Sequence, residues 1–151
     1  MKILLSSIFL ILTSLAFSAG TNNSASDDQD ASITKDFNSA KKLIYSKKYE
    51  KALDILISLE DKQPIGFSKA DLYNYLGFAT RKKNNPNYED AEKYYLLALS
   101  INANHIGALE YLGELYFETN RLEQAEELLI KLGSVAGKNS VEYKELFDLL
   151  N

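Results

Sequence analysis

The sequence contains few side chains that could carry out acid–base, nucleophilic or metal chemistry. Its single histidine is His105, and it has no cysteine, which excludes thiolate nucleophiles, disulfides and sulfur-bound metals. No phosphate-binding loop or nucleophile-elbow pattern occurs in the chain. A lone His at the start of a predicted helix is typical of a helix-terminal or interface residue. The sequence therefore predicts no catalytic residue, no enzyme activity and no cofactor.

A second group with possible chemistry is the set of glutamates in LEQAEELL. Glu123, Glu126 and Glu127 have carboxylates that could bind a metal ion. At helical spacing they are better explained as a solvated face near a helix N-terminus, where the helix dipole favours negative charge. We therefore expect no metal site.

The charge balance argues against a nucleic-acid partner. The chain has 17 Lys and Arg against 21 Asp and Glu, and no basic stripe with interleaved aromatic residues. The charges are unevenly distributed, because residues 33–69 hold eight basic and five acidic residues, whereas residues 106–151 hold four basic and nine acidic residues. These are either ordinary solvated faces or a gradient that orients a partner or a second copy.

The N-terminus has the pattern of an export signal. Lys2 precedes an apolar run from Ile3 to Phe17, and small residues follow. We assign residues 1–19 to a signal peptide, although the small residues fit cleavage after Ser18 or after Gly20. A retained membrane anchor is the alternative, but a span needs about 20 apolar residues. We therefore expect a bacterial periplasmic or secreted protein with no integral membrane segment after cleavage.

The remainder of the chain divides into a short leader and a helical domain. Residues 20–32 are small, polar and acidic, which predicts a disordered leader. Residues 33–151 show helical periodicity interrupted by polar breaks, some with Pro or Gly, so we predict an all-α domain. The predicted helices are 34–46, 49–61, 68–83, 87–100, 104–118, 121–132 and 140–150.

Two of these helices contain an interior glycine, in YNYLGFAT and EYLGELYF. Such a glycine costs about 1 kcal/mol relative to alanine, so the missing side chain must allow a close approach between helices. Pairing the helices aligns small residues at two positions and a leucine before each glycine. The aligned residues are Ala40, Leu76, Gly77, Leu112 and Gly113 in the first helices, and Ala52, Ala91 and Ala125 in the second helices.

The helix pairs resemble the tetratricopeptide repeat, a 34-residue helix–turn–helix unit with the pattern W-x-x-L-G-x-x-Y, then A-x-x-x-F, then P. The resemblance implies a right-handed α-solenoid of three units, at about residues 33–66, 70–105 and 106–139. A final helix at residues 140–150 would cap the last unit. The end of the chain is also similar to small exported bacterial proteins with three such repeats.

The resemblance further implies a protein-interaction module whose first helices line a concave groove. The family's clamp for a chain-terminal carboxylate is poorly matched, because Tyr75, Gly107 and Tyr111 occupy three of its positions. The residues that match the groove face are Phe37, Lys41, Ile44, Tyr45, Asp71, Asn74, Phe78, Arg81, Lys82, Glu110, Glu114, Phe117 and Glu118.

Two interpretations of function follow from this resemblance. The leading one is an adaptor or scaffold of the bacterial cell envelope that binds a peptide segment of a partner in the groove. The alternative is a structural or self-associating component of an envelope assembly, with no ligand in the groove. Whether the groove or the convex face binds stays open at this point.

Overall fold

Within residues 23–151, which the computed structural model describes, the chain forms seven α-helices and no strand. The helices are α1 Asn23–Tyr45, α2 Tyr49–Ser58, α3 Lys69–Lys82, α4 Tyr88–Ile101, α5 Ile106–Glu118, α6 Leu122–Ala136 and α7 Val141–Leu150. This confirms the all-α prediction. No helix in this part of the chain is both long and apolar enough to cross a membrane. The predicted signal peptide lies outside the described residues.

The first helix is longer than the sequence predicted. It begins at Asn23 rather than at residue 34, so residues 23–32, which we predicted to be disordered, are helical. Their composition explains the difference. Alanine has the highest helix propensity of all residues, and this segment contains two alanines. The prediction for residues 20–22 lies outside the part of the chain that the structure describes.

Side-chain caps define where four of the helices start. At α3, Ser68 accepts a hydrogen bond from the Asp71 amide while the Asp71 carboxylate accepts one from the Ser68 amide, at 2.9 Å in each direction. Asn87, His105 and Ser140 cap α4, α5 and α7 in the same way, each accepting from the amide three residues on. Such a cap typically stabilises a protein by about 1 kcal/mol.

The helices form two layers, one of which is more closely packed than the other. Each helix packs against the next, and the first helices of successive pairs also touch, as α1 with α3, α3 with α5, and α5 with α7. Among the described residues, no comparable contact joins α2 to α4 or α4 to α6. The inner layer of α1, α3, α5 and α7 is therefore the tighter one, and the array curves so that this layer is concave.

Close packing within the array depends on small residues. Ala52, Ala91 and Ala125 are completely buried. A Cβ atom at Gly77 would lie 2.7 Å from the Tyr95 ring and 3.1 Å from the Ala91 carbonyl oxygen, so Gly77 lets α3 and α4 approach closely, as predicted.

Gly113 has a different neighbour from the one we predicted. The resemblance to the tetratricopeptide repeat implies that this glycine lets the two helices of its own unit, α5 and α6, approach closely. A Cβ atom there would instead lie 2.5 Å from Cδ2 of Leu146, on α7. The final helix thus packs on α5 as the first helix of a following unit would, which is why Gly113 is needed for the cap.

The end of α6 also differs from the prediction. We expected the helix to stop at residue 132, but it continues to Ala136, and its C-cap is Gly137 with φ 84°, a conformation that glycine adopts readily. Gly133 therefore lies inside the helix. A Cβ atom at Gly133 would lie 2.8 Å from the Tyr143 ring, so its absence again makes room for α7.

Candidate functional site

An apolar pocket opens on the concave side, where the inner helices meet the turn between α1 and α2. It has a volume of about 160 Å³, small compared with the roughly 300–1,000 Å³ of ligand sites for small molecules. Five of its seven lining residues are aromatic. The pocket, called the aromatic pocket below, is lined by Ile44, Tyr45, Lys47, Tyr49, Tyr75, Phe78 and Tyr111.

The walls of the aromatic pocket are held in place by contacts between rings. The Phe78 ring centroid lies 4.7 Å from that of Tyr111 and 6.2 Å from that of Tyr49. Tyr75 packs edge-on against Phe37 at 5.6 Å. Tyr45, in contrast, is 75% exposed and stands at the rim. The pocket therefore has a floor of packed rings and one exposed aromatic edge.

Two lysines lie beside the pocket on its α1 side. The Lys41 ammonium nitrogen is 5.7 Å from the Tyr75 ring centroid and 5.9 Å from that of Phe37, within the range of a cation–π interaction. Lys47 is itself part of the lining and is exposed. Within residues 23–151, neither lysine forms an ion pair.

A buried arginine underlies the opposite side of the pocket. The Arg81 guanidinium carbon lies 5.9 Å from the ring centroids of both Phe78 and Tyr111, and the side chain is fully buried. Arg81 donates a hydrogen bond to Glu114 and is 3.5 Å from a Glu118 carboxylate oxygen. Burial by itself would lower the pKa of Arg81, but the neighbouring Tyr95, Glu114 and Glu118 raise it overall. Arg81 therefore fixes the Glu114 carboxylate beside the pocket.

Beyond Arg81, the inner face is acidic. Carboxylate oxygens of Glu110, Glu114 and Glu145 all lie within 4.8 Å of one another, which brings α7 into the site. The pKa of Glu110 is raised to about 8, and burial is the largest cause. A hydrogen bond with Glu145 and the nearby charges of Glu114, Glu145 and Glu142 raise it further. Glu110 therefore keeps its proton at neutral pH. This shared proton and the adjacent Arg81 already offset part of the negative charge that would attract a metal ion.

The acidic residues lie close to the aromatic pocket, because Glu114 accepts a hydrogen bond from Arg81, whose guanidinium carbon is 5.9 Å from the Tyr111 ring centroid. The pKa of Tyr111 is raised to about 12, and burial is the largest cause. The charges of Glu110, Glu114 and Glu145 raise it further. Tyr111 is thus a wall shared by the pocket and the carboxylates. The concave surface as a whole runs from lysines on α1 and the turn that follows it, through aromatic rings, to carboxylates on α5 and α7.

Some of the residues predicted for the groove face are buried. Phe37 stacks on Phe67 with ring centroids 4.0 Å apart, and Asn74 lies against Gly107 of the next unit. The reason is that each first helix is partly covered by the first helix of the following pair. The predicted groove residues that prove to be buried are Phe37, Ile44, Asn74, Arg81 and Glu110.

The other predicted groove residues are at least partly exposed. Phe117 is one of these, and it does not line the aromatic pocket. The Asp71 carboxylate is engaged within the fold, because it takes part in the cap of α3 and contacts the His105 ring. The partly or fully exposed residues are Lys41, Tyr45, Asp71, Phe78, Lys82, Glu114, Phe117 and Glu118.

Tyr75 and Tyr111 are pocket residues that the sequence analysis did not assign to the groove. The spacing of residues in the sequence could have placed both in the groove. Tyr75 precedes Phe78 by three residues, and Tyr111 precedes Glu114 by three, so each pair lies on one helix face.

Two other depressions on the surface are less suited to binding a ligand. One of about 410 Å³ is lined by five consecutive residues, Asn120 to Gln124, and is simply the concavity of the turn before α6. Another, of about 440 Å³, lies over the exposed Leu96 and Leu97 of α4 and is nearly flat. Neither gathers side chains from several helices, as the aromatic pocket does.

The chain is similar to known proteins in both sequence and fold. Residues 86–146 match the tetratricopeptide repeat family. The chain is 33% identical over 72 residues to ycf37 of Porphyra purpurea, an uncharacterised protein, and this match covers 48% of the chain and 40% of that relative. The chain thus spans about two fifths of the relative's length.

Among solved structures, the fold resembles that of PcrH in complex with the chaperone binding region of PopB. The TM-score is 0.68, and the superposition covers 80% of this chain and 95% of that one. Sequence identity is 15%, so this likeness concerns the fold alone. The comparisons thus agree: residues 86–146 match the tetratricopeptide repeat family, and the described helices form a solenoid with the fold of PcrH.

Proposed function

We propose that the chain is a non-enzymatic protein-interaction module that binds a peptide segment of a partner in its concave groove. The observation that carries this proposal is the aromatic pocket, because it gathers five aromatic residues from several helices around an opening to solvent. Large aromatic side chains supply most of the binding energy at many protein interfaces. The fold also supports it, since PcrH, which has the same fold, forms a complex with a segment of PopB.

The pocket is suited to binding because most of it is already ordered. Tyr75, Phe78 and Tyr111 are half-buried, and each packs against another ring. Little side-chain entropy is then lost when a ligand arrives, and this loss is one of the main costs of association. A partner side chain that enters the pocket gains apolar contact without having to rearrange it.

The environment of His105 supports a role without catalysis. Its Nδ1 accepts a hydrogen bond from the Ala108 amide at 3.1 Å, and its Nε2 lies 3.1 Å from an Asp71 carboxylate oxygen. Both ring nitrogens are therefore engaged in capping α5 and joining it to α3. The chain's only histidine acts as a structural link between successive units.

We further propose that the protein acts in a bacterial cell envelope, as an adaptor or scaffold. The support is the signal-like sequence of residues 1–19, with Lys2 before an apolar run and small residues after it. Mass spectrometry of the protein recovered from a periplasmic or secreted fraction should show a mature chain that begins after Ser18, Ala19 or Gly20. A full-length chain found in the cytoplasm would contradict the proposal.

Site-specific photo-crosslinking tests the groove. Benzoylphenylalanine in place of Tyr45 stands at the rim of the pocket, and the same analogue in place of Tyr88, which is 39% exposed at the start of α4, serves as the matched control. We expect adducts with another protein from residue 45 and none from residue 88. Adducts from residue 88 alone would move binding away from the groove. Adducts that contain only a second copy of the chain would favour the self-associating alternative.

A further inference from the structure

The aromatic pocket separates unpaired charges of opposite sign. On one side, Lys41 and Lys47 have no ion-pair partner within the described residues. On the other side, Glu145 likewise has no Lys or Arg partner there, while Glu114 is paired with the buried Arg81. A ligand that places a charge at each edge would therefore meet an uncompensated charge of the opposite sign.

We propose that the groove selects a peptide segment with a defined charge pattern. An apolar side chain of the segment enters the aromatic pocket, an acidic residue lies on the α1 side, and a basic residue lies on the side of α5 and α7. This inference rests on the proposed function, since it names the chemistry of the peptide that the same groove binds.

The basic side is suited to an acidic residue because its ammonium groups are held close to the pocket. Lys41 is half-buried, and its ammonium lies over the rings of Phe37 and Tyr75, so its position is restricted. Lys47 belongs to the pocket lining itself. An acidic residue next to the anchor would reach both lysines and form charge-assisted hydrogen bonds.

The acidic side is suited to a basic residue because its carboxylates converge. Glu110, Glu114 and Glu145 come from two helices, and their oxygens lie within 4.8 Å of one another. Arg81 cannot serve as the basic partner of further carboxylates at the surface, because it is fully buried beneath Phe78 and Tyr111. The exposed Glu145 therefore remains available to a lysine or arginine of the ligand.

The arrangement also explains why the centre of the groove favours an apolar group. The charge of Arg81 is balanced locally by Glu114 and Glu118, so it adds little net potential to the pocket. The centre of the groove therefore presents aromatic ring surface, and its two edges present charged side chains. Such complementarity affects specificity and association rate more than affinity.

A peptide library and two matched charge variants test the proposal. The purified chain is used to select from a phage library of random 12-residue peptides, and the enriched peptides are synthesised and titrated by fluorescence anisotropy. We expect these peptides to share an apolar residue with acidic residues on one side and basic residues on the other. The double variant Lys47→Glu with Glu145→Lys reverses one exposed charge at each edge.

The double variant should weaken binding of the selected peptides by about three- to tenfold at low salt, since exposed ion pairs contribute little individually. Peptides with their acidic and basic residues exchanged should bind the double variant better than the original chain. The control, Lys51→Glu with Glu126→Lys, makes the same charge changes on exposed residues of the outer helices and should leave the affinity unchanged. Circular dichroism confirms that each variant is folded.

The outcomes separate the two proposals. If Phe78→Ala and the exposed-rim variant Tyr45→Ala both leave peptide binding intact, or if no peptide is enriched, the proposed groove function is wrong. If these variants weaken binding but the charge-reversed pair behaves like its control, the groove binds peptides and the charge pattern is overturned. Enriched peptides of a single charge sign would overturn it as well.

Discussion

At the scale of single residues, Gly113 shows how one missing side chain sets the position of a whole helix. A Cβ atom there would meet Leu146, which is completely buried on α7 and has little freedom to move aside. Alanine gains about 1 kcal/mol over glycine in helix propensity, but overpacking of a buried contact typically costs 1–3 kcal/mol. The cost of overpacking should therefore exceed the gain in helix propensity, and the free energy of unfolding should fall.

We predict that Gly113→Ala lowers the free energy of unfolding, and that the loss depends on Leu146. A double-mutant cycle with Leu146→Ala, measured by urea denaturation, should show that the combined cost is smaller than the sum of the two single costs. Gly77→Ala provides the comparison, because its Cβ would meet the Tyr95 ring and a backbone oxygen, not Leu146. Strict additivity for Gly113 and Leu146 would mean that the two residues do not touch.

Glu110 is the residue whose protonation should influence stability most directly. Its carboxyl faces Glu114 on its own helix and Glu142 and Glu145 on α7, and its pKa is raised to about 8 from an ordinary value of 4.5. The folded state therefore holds this proton more tightly than the unfolded state. The resulting stabilisation is complete below about pH 4.5 and is lost as the pH rises through about 8.

We predict that Glu110→Gln removes a fall in stability between pH 5 and pH 8. The original chain should lose up to about 1.4 kcal/mol per pH unit through this one group, and the amide variant should not. Above pH 8 the variant should be the more stable protein. Urea denaturation at several pH values measures this, with the exposed Glu126→Gln as the control. Parallel curves for all three proteins would contradict the prediction.

At the scale of elements, α7 acts as the closing layer of the array. It contributes Leu146 and Tyr143 to a core cluster with Leu109 of α5 and Leu132 of α6. A repeat array needs such a cap because each unit leaves an apolar face for its neighbour to cover. Without α7, Leu109 and Leu132 would lose that cover.

Deletion of residues 140–151 should therefore destabilise the protein and promote aggregation. Light scattering after size-exclusion chromatography should reveal larger species, and thermal melts should begin at lower temperature. The substitution Val141→Ser, at a position of α7 that is 65% exposed, should change stability by no more than about 0.5 kcal/mol. A truncated chain that stayed monomeric and equally stable would show that α7 is not required as a cap.

At the scale of the whole molecule, stability should be distributed unevenly along the array. The central helices α3 and α4 have neighbouring units on both sides, whereas among the described residues α1 and α7 have neighbours on one side only. The start of α1 is the least supported part, because Asp28, Ala31 and Ser32 are exposed and the core begins at Ile33. In repeat proteins each unit is stabilised mainly by its nearest neighbours.

We predict that amide hydrogen exchange is slowest in α3, α4 and α5 and fastest in the first ten residues of α1. Exchange measured by mass spectrometry, with peptides that separate residues 23–32 from 33–45, would resolve this boundary. Equal protection on both sides of Ile33 would indicate that the start of α1 is packed against something other than the described residues.

The sequence by itself determined the helical architecture of this protein and most of the helix ends. Periodicity, capping residues such as Ser68 and Asn87, and breaks near the two prolines are properties of neighbouring residues, so they can be recognised locally. The repeated glycines and alanines also indicated close packing. The start of α1 was predicted wrongly, because a small, polar segment that contains alanine is compatible with both a disordered leader and a helix.

Only the tertiary structure decided which inner-face residues can be reached by a ligand. The positions of Arg81, Glu110 and Asn74 on their helices matched an outward face, yet all three are buried. The raised pKa of Glu110 requires Glu145, which lies 35 residues later, and the aromatic pocket requires Tyr45, Phe78 and Tyr111 to meet from three separate segments. Burial, protonation and pocket shape depend on neighbours that are distant in the chain, and these become defined only when the units stack.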